Sequence, residues 1–163
     1  MEASGVAIRH PNREKPESKA TKAAVVLLLL ASAGLIAIVT FGGWSDLQGA
    51  QFVAIFFIVV YVAMAYYVAR WNRGVLPVAS GLAILIGVLA AIAAPAWFDR
   101  DKSGFHSPAL PPSVLGLLCL ILVPVSLLLI AFAMRGFSQA WNVEVEERVD
   151  EDQGYYREPA GVL

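Results

Sequence analysis

Four long apolar runs divide the chain, with polar and charged residues gathered between them in short linkers and in two tails. The runs cover residues 23–41, 50–69, 75–98 and 113–134, which is 19, 20, 24 and 22 residues, and none contains Asp, Glu, Lys, Arg or His. At about 1.5 Å of rise per residue each is roughly 28 to 36 Å long, enough to cross a hydrocarbon core of about 30 Å. Lipid offers no partner to a backbone N–H or C=O, so a spanning segment is a helix or part of a closed barrel. A barrel strand alternates in polarity over about ten residues. These runs are continuously apolar and twice that length, so they predict helices.

The linkers at 42–49, 70–74 and 99–112 are short. Links of this length predict that sequence neighbours run antiparallel and side by side. The expected fold is all-α: a polytopic membrane protein with an antiparallel up-down-up-down four-helix bundle at 23–134. It is flanked by a basic disordered tail at 1–22 and an acidic tail at 135–163. The first run is longer than a signal peptide's apolar core and no small-residue cleavage site follows it, so it reads as a retained span.

Charge sets the expected orientation. Ten cations fall on the side shared by both termini and only Arg100 and Lys102 on the other. Positive residues of short loops stay cytoplasmic, so both termini are expected there. All four tryptophans, Trp44, Trp71, Trp97 and Trp141, lie at span ends, where indole anchors to the headgroup region. Gly74 is expected to supply a left-handed residue in the second turn. Pro77 and Pro111-Pro112 suit first helical turns, and Pro124 lies mid-span, where a kink is expected.

Apolar contact cannot drive one helix onto another inside lipid, whereas close approach between small residues can. Ala79, Ala83, Gly87 and Ala91 recur at four-residue spacing in the third span. They are the expected helix-packing ridge, and the third helix the expected centre of the bundle.

Composition narrows function mainly by exclusion. Hydrophobic residues make up 58% and charged residues 15%, against about 45–50% and about 25% in soluble domains. With no acidic or basic side chain and no histidine in any run, the chain lacks the groups a proton relay, ion-coupled transporter or voltage sensor needs. Neither His10 nor His106 falls in a span, which disfavours an intramembrane haem. Cys119, the only cysteine, has no intramolecular disulfide partner. No GxSxG, HExxH, P-loop or GxGxxG motif occurs, and no cofactor, metal or nucleic acid is implied.

In the outer loop Asp99, Asp101 and His106 are weak candidates for metal binding or catalysis, since two acids and an imidazole in no known spacing mostly describe a solvated loop. The terminal 143–163 segment carries a net charge of −5 and is expected to dock a basic surface or simply stay solvated. Residues 141–146 alternate as a strand does, but are too short to stand alone. The leading expectation is a non-catalytic integral membrane protein of a bacterial plasma membrane. It would be a small accessory or scaffolding subunit among other integral membrane subunits. The alternatives are an oligomeric permeability or transport protein and, behind it, a membrane enzyme using the outer loop.

Overall fold

The computed structural model describes residues 5–102, 104 and 108–149. In chain order these form strand β1 (Gly5–Arg9), a single-turn helix α1 (Pro11–Glu14), α2 (Pro16–Gly42), α3 (Gln51–Ala69), α4 (Val75–Asp99), α5 (Pro112–Ser138) and strand β2 (Val145–Val149). A turn of 3-10 helix at Trp44–Asp46 leads from α2 towards α3. The four long helices are each long and apolar enough to cross a membrane.

Local chemistry explains the helix starts. Pro11, Pro16 and Pro112 occupy the first turns of α1, α2 and α5, where a missing N–H costs nothing. Glu17 lies in the first turn of α2, where its charge meets the positive end of the helix dipole. Helix α5 continues through Pro124 to Ser138. The left-handed residue of the α3–α4 turn is Trp71, at φ 65°. Gly74, expected to take that role, sits at φ −62° as the residue before α4.

Inside the bundle, burial follows a seven-residue repeat. In α5 the inward positions are Leu115, Cys119, Leu122, Ser126, Leu129, Ala133 and Gly136, alternating steps of four and three. In α4 Leu76, Ala83, Ala90 and Trp97 repeat at sevens, with Ala79, Ser80, Ile86 and Ala94 between them. This is the spacing by which helices keep one face together over many turns. It also corrects the expected ridge. Ala79 and Ala83 are fully buried, whereas Gly87 is only half-buried and Ala91 is exposed. A four-residue step turns about 40° past a full turn, so a strict four-spaced row winds off the contact within a few steps.

The most extensive helix pair is α4 with α5, followed by α2 with α3; α2 and α5 join the two pairs. The centre of the bundle is therefore α2 and α5 rather than α4. Helices α3 and α4, although joined by a short turn, touch little, because each lays its inward face on another helix. Glycines permit the α4–α5 approach at three levels. A Cβ on Gly116 would lie 3.1 Å from the Ala94 carbonyl oxygen, one on Gly87 3.3 Å from the Ser126 Cβ, and one on Gly136 3.2 Å from a Leu76 methyl.

The described parts of the two tails depart from the expected disorder, while residues 1–4 and 150–163 lie outside the described residues. Residues 16–22 continue α2 downward, and β1 pairs antiparallel with β2 in the register Gly5↔Val149 to Arg9↔Val145. The brief alternation near residue 145 does not stand alone: its partner comes from the other end of the chain, and two segments that each lack a core complete each other's backbone hydrogen bonds.

Replacing Gly87 or Gly136 by Leu should lower stability by about 1–3 kcal/mol through overpacking. Gly81 faces open space, so Gly81→Leu should be neutral. Thermal unfolding of the three variants in mild detergent checks this; equal melting temperatures would contradict the close α4–α5 approach.

Candidate functional site

Three regions gather the polar groups of the bundle: its two ends and a layer at mid-depth. At one end lie the close of α2, the 3-10 turn, the end of α4 and the start of α5. Gly42 offers its carbonyl to the Leu110 N–H at 3.0 Å, which satisfies one of the orphan acceptors at a helix C-terminus. Arg100 meets Asp46 at 3.4 Å and donates to the Asp46 carbonyl at 3.3 Å. The pair ties the α2–α3 link to the end of α4. Trp97 is buried here against Gly43, where an added Cβ would stand 2.6 Å from the indole.

Two of the three weak outer-loop candidates fall among the described residues. Asp99 pairs with Lys102 at 3.2 Å, both side chains well exposed. Asp101 is exposed, and His106 lies outside the described residues. Among the described residues no group of three or more His, Cys, Asp or Glu is placed to hold a metal ion.

The other end joins the start of α2, the α3–α4 turn, the close of α5 and the N-terminal segment. Helix C-termini again supply the acceptors. Arg73 donates to the Phe137 carbonyl at 2.7 Å and to the Asn142 side chain at 2.9 Å, with its guanidinium 4.1 Å from the Phe137 ring. Asn12 reaches the Ala140 carbonyl at 3.0 Å, and Arg13 the Trp141 carbonyl at 2.9 Å. Gln139 donates to Thr21 at 3.1 Å and accepts from the Trp141 indole N–H at 3.0 Å. His10 and Glu144 meet at 3.2 Å. Cations and N–H donors at a helix C-terminus also meet the negative end of its dipole.

Comparison with family models, with curated proteins and with solved structures returned no match to this chain.

The tryptophans divide into two kinds. Trp44 is nearly half exposed, stacked on Phe41, and Trp71 is partly exposed. Trp97 and Trp141 are buried within the protein, 6% and 0% exposed, so they lock helix ends rather than face the headgroups. Trp141 packs edge-on against Trp71 with ring centres 5.2 Å apart, and its ring fills the space left by Gly136. This contact, with Lys22 4.1 Å from the Trp71 ring centre, holds Trp71 in its left-handed conformation, a state that costs about 1–3 kcal/mol for a bulky residue.

At mid-depth the inward polar groups are hydroxyls. Nearer the end of α2, Thr40 donates to the Ile36 carbonyl at 2.6 Å. Ser32, Tyr61, Ser80 and Ser126 have buried hydroxyl oxygens with no hydrogen-bond partner. A groove of about 280 Å³ opens beside Ser126, between Ile84, Gly87 and Val88 of α4 and Leu127 of α5, and its lining is almost wholly apolar. Such a surface offers shape to a neighbour, and no acid, base or nucleophile with an activating partner.

Sequence reasoning missed Asp46 and Asn12. Asp46 stands in a linker with no local signal, and its partner Arg100 is 54 residues away. Asn12 lies in a segment read as unstructured.

A buried hydroxyl without a partner is destabilising, and removing it while keeping the volume can be neutral or favourable. Tyr61→Phe should therefore leave stability unchanged or raise it, by up to about 1 kcal/mol. Thermal unfolding in detergent decides; a loss larger than that would reveal a hydrogen bond this geometry lacks.

Proposed function

We propose that the chain is a non-catalytic integral membrane protein serving as a small accessory or scaffolding subunit of a larger membrane assembly. One observation carries the reading. The four apolar helices meet through small, aliphatic and hydroxyl-bearing side chains, with no Asp, Glu, Lys, Arg or His inside any apolar run. Moving protons or ions through a single bundle needs acidic, basic or histidine side chains at depth. Catalysis needs a nucleophile, acid or base held by a partner. The interior presents neither arrangement among the described residues. What it presents is a packed rod with apolar flanks and both ends tied by ion pairs and hydrogen bonds.

The reading includes an up-down-up-down course with both termini on the cytoplasmic side of a bacterial plasma membrane. The contacts support the alternating course: Gly42, Asp46, Trp97 and Leu110 gather at one end, and Thr21, Ala69, Leu76 and Phe137 at the other. The charge supports the orientation, because the cations cluster at the second end. The acidic stretch around Glu144 and Glu146 would offer a basic partner a docking surface on the cytoplasmic side.

Affinity purification in mild detergent tests the role. The account expects other integral membrane proteins to co-purify in fixed stoichiometry. A homo-oligomer that raises solute flux in liposomes would favour a transport protein instead. Single cysteines in a Cys119→Ala background test the topology. A membrane-impermeant maleimide applied to intact cells should label Ser45→Cys and spare Ser138→Cys; the reverse pattern would overturn the orientation.

A further inference from the structure

The two ends of the bundle treat their cations differently. At the end holding Asp46, both cations are neutralised: Arg100 by Asp46 and Lys102 by Asp99. At the opposite end each long helix brings a cation to within about one turn of its apolar run: Lys22 on α2, Arg70 after α3, Arg73 before α4 and Arg135 on α5. Among the described residues none of these four lies at ion-pair distance from a carboxylate.

The contacts these cations make are with neutral groups. The Lys22 ammonium lies 3.4 Å from the Ala69 carbonyl oxygen and over the Trp71 ring. Arg70 donates to the Tyr66 hydroxyl at 3.2 Å and remains exposed. Arg73 is held by a carbonyl and an amide. Carbonyls and ring faces position a cation without cancelling its charge. Lys22, Arg70 and Arg73 are thus held in fixed places and Arg135 stands exposed beside them, at the depth where hydrocarbon gives way to headgroups, with no protein counter-ion among the described residues.

We propose that this rim binds the headgroups of anionic phospholipids, with the notch formed by Lys22, Arg70 and Trp71 as the main seat. The chemistry matches group by group. A phosphate oxygen accepts from the ammonium of Lys22 and from the free donors of Arg70, and charge-assisted bonds of this kind are the strong ones. The indole of Trp71 and the ring of Tyr66 lie at the level of the glycerol backbone, where amphipathic rings are favoured. At the opposite end Arg100 and Lys102 are already paired, and the described residues there offer no equivalent seat. The inference needs the bundle to span a bilayer, but it is independent of the accessory-subunit reading.

The test uses the full chain in a neutral detergent. Dioleoyl phosphatidylglycerol or dioleoyl phosphatidylcholine is added, with bound lipid read by native mass spectrometry and stability by thermal unfolding. Phosphatidylglycerol should remain bound and raise the melting temperature, and phosphatidylcholine should do neither. Each neutralised cation should weaken phosphatidylglycerol binding roughly five-fold, so Lys22→Gln with Arg70→Gln should weaken it about 25-fold. If that pair of changes unfolds the protein, the exposed Arg135→Gln alone should still weaken binding about five-fold. Lys102→Gln at the other end should leave it unchanged. Equal retention of the two lipids, or undiminished phosphatidylglycerol binding in the rim variants, would overturn the proposal. So would inorganic phosphate that stabilises the protein as well as the lipid does.

Discussion

In a bilayer, burying an apolar side chain against protein gains little over leaving it against lipid, so water no longer sorts inside from outside. Something else must decide which face of each helix turns inward. Here the deciding interaction is the close approach of α4 and α5 across Gly87, Gly116 and Gly136, with alanines, serines and interdigitated leucines along the same faces. The outward faces carry the larger aliphatics, such as Leu27, Ile38, Ile84, Ile92 and Leu127. Dispersion between well-fitted surfaces replaces the hydrophobic effect as the selective force. The buried polar side chains among the described residues are mostly Ser and Thr, small enough for a close seam, and Thr21 and Thr40 return their protons to their own helix backbone.

The ends obey the opposite logic, because there water and headgroups are near and helix C-termini expose carbonyls. Donors borrowed from elsewhere in the chain satisfy these carbonyls: the Leu110 N–H on α2, Lys22 on α3, and Arg73 on α5. Each such bond joins two elements as well as capping one. Tryptophans seated against glycines, Trp97 on Gly43 and Trp141 on Gly136, close the two ends. A bundle that cannot use water to hold its core is fixed by its packing seam and by its polar caps.

The legible part of the fold was what depends on local composition. An uninterrupted apolar run of about 20 residues without a charge has few physical outcomes, and the four helices followed from that. The seam was half legible. Small residues signalled it, but the four-residue rule placed Gly87 and Ala91 on a face that the seven-residue repeat partly or wholly leaves outside. The pairing of β1 with β2 and the contacts of Asn12 and Arg13 with residues beyond α5 were not legible. They join segments about 130 residues apart, and neither partner carries a pattern that names the other. Tryptophan position at span ends was readable, whereas the choice between facing headgroups and filling a glycine notch depends on a neighbour that periodicity does not show. The outer-loop candidates Asp99 and Asp101 stay exposed, and His106 lies outside the described residues.

The central claim is that α5 turns the face carrying Leu122, Ser126, Leu129 and Ala133 inward while the face carrying Leu120, Ile121, Leu127 and Leu128 meets lipid. Nitroxide labels placed one at a time along α5 in the full chain, reconstituted in phospholipid vesicles, test it through collision with dissolved oxygen. The account predicts low oxygen access at residues 122, 126, 129 and 133, high access at 120, 121, 127 and 128, and little access to a water-soluble nickel reagent at any of them. A flat or inverted oxygen profile, or strong nickel access throughout, would contradict it.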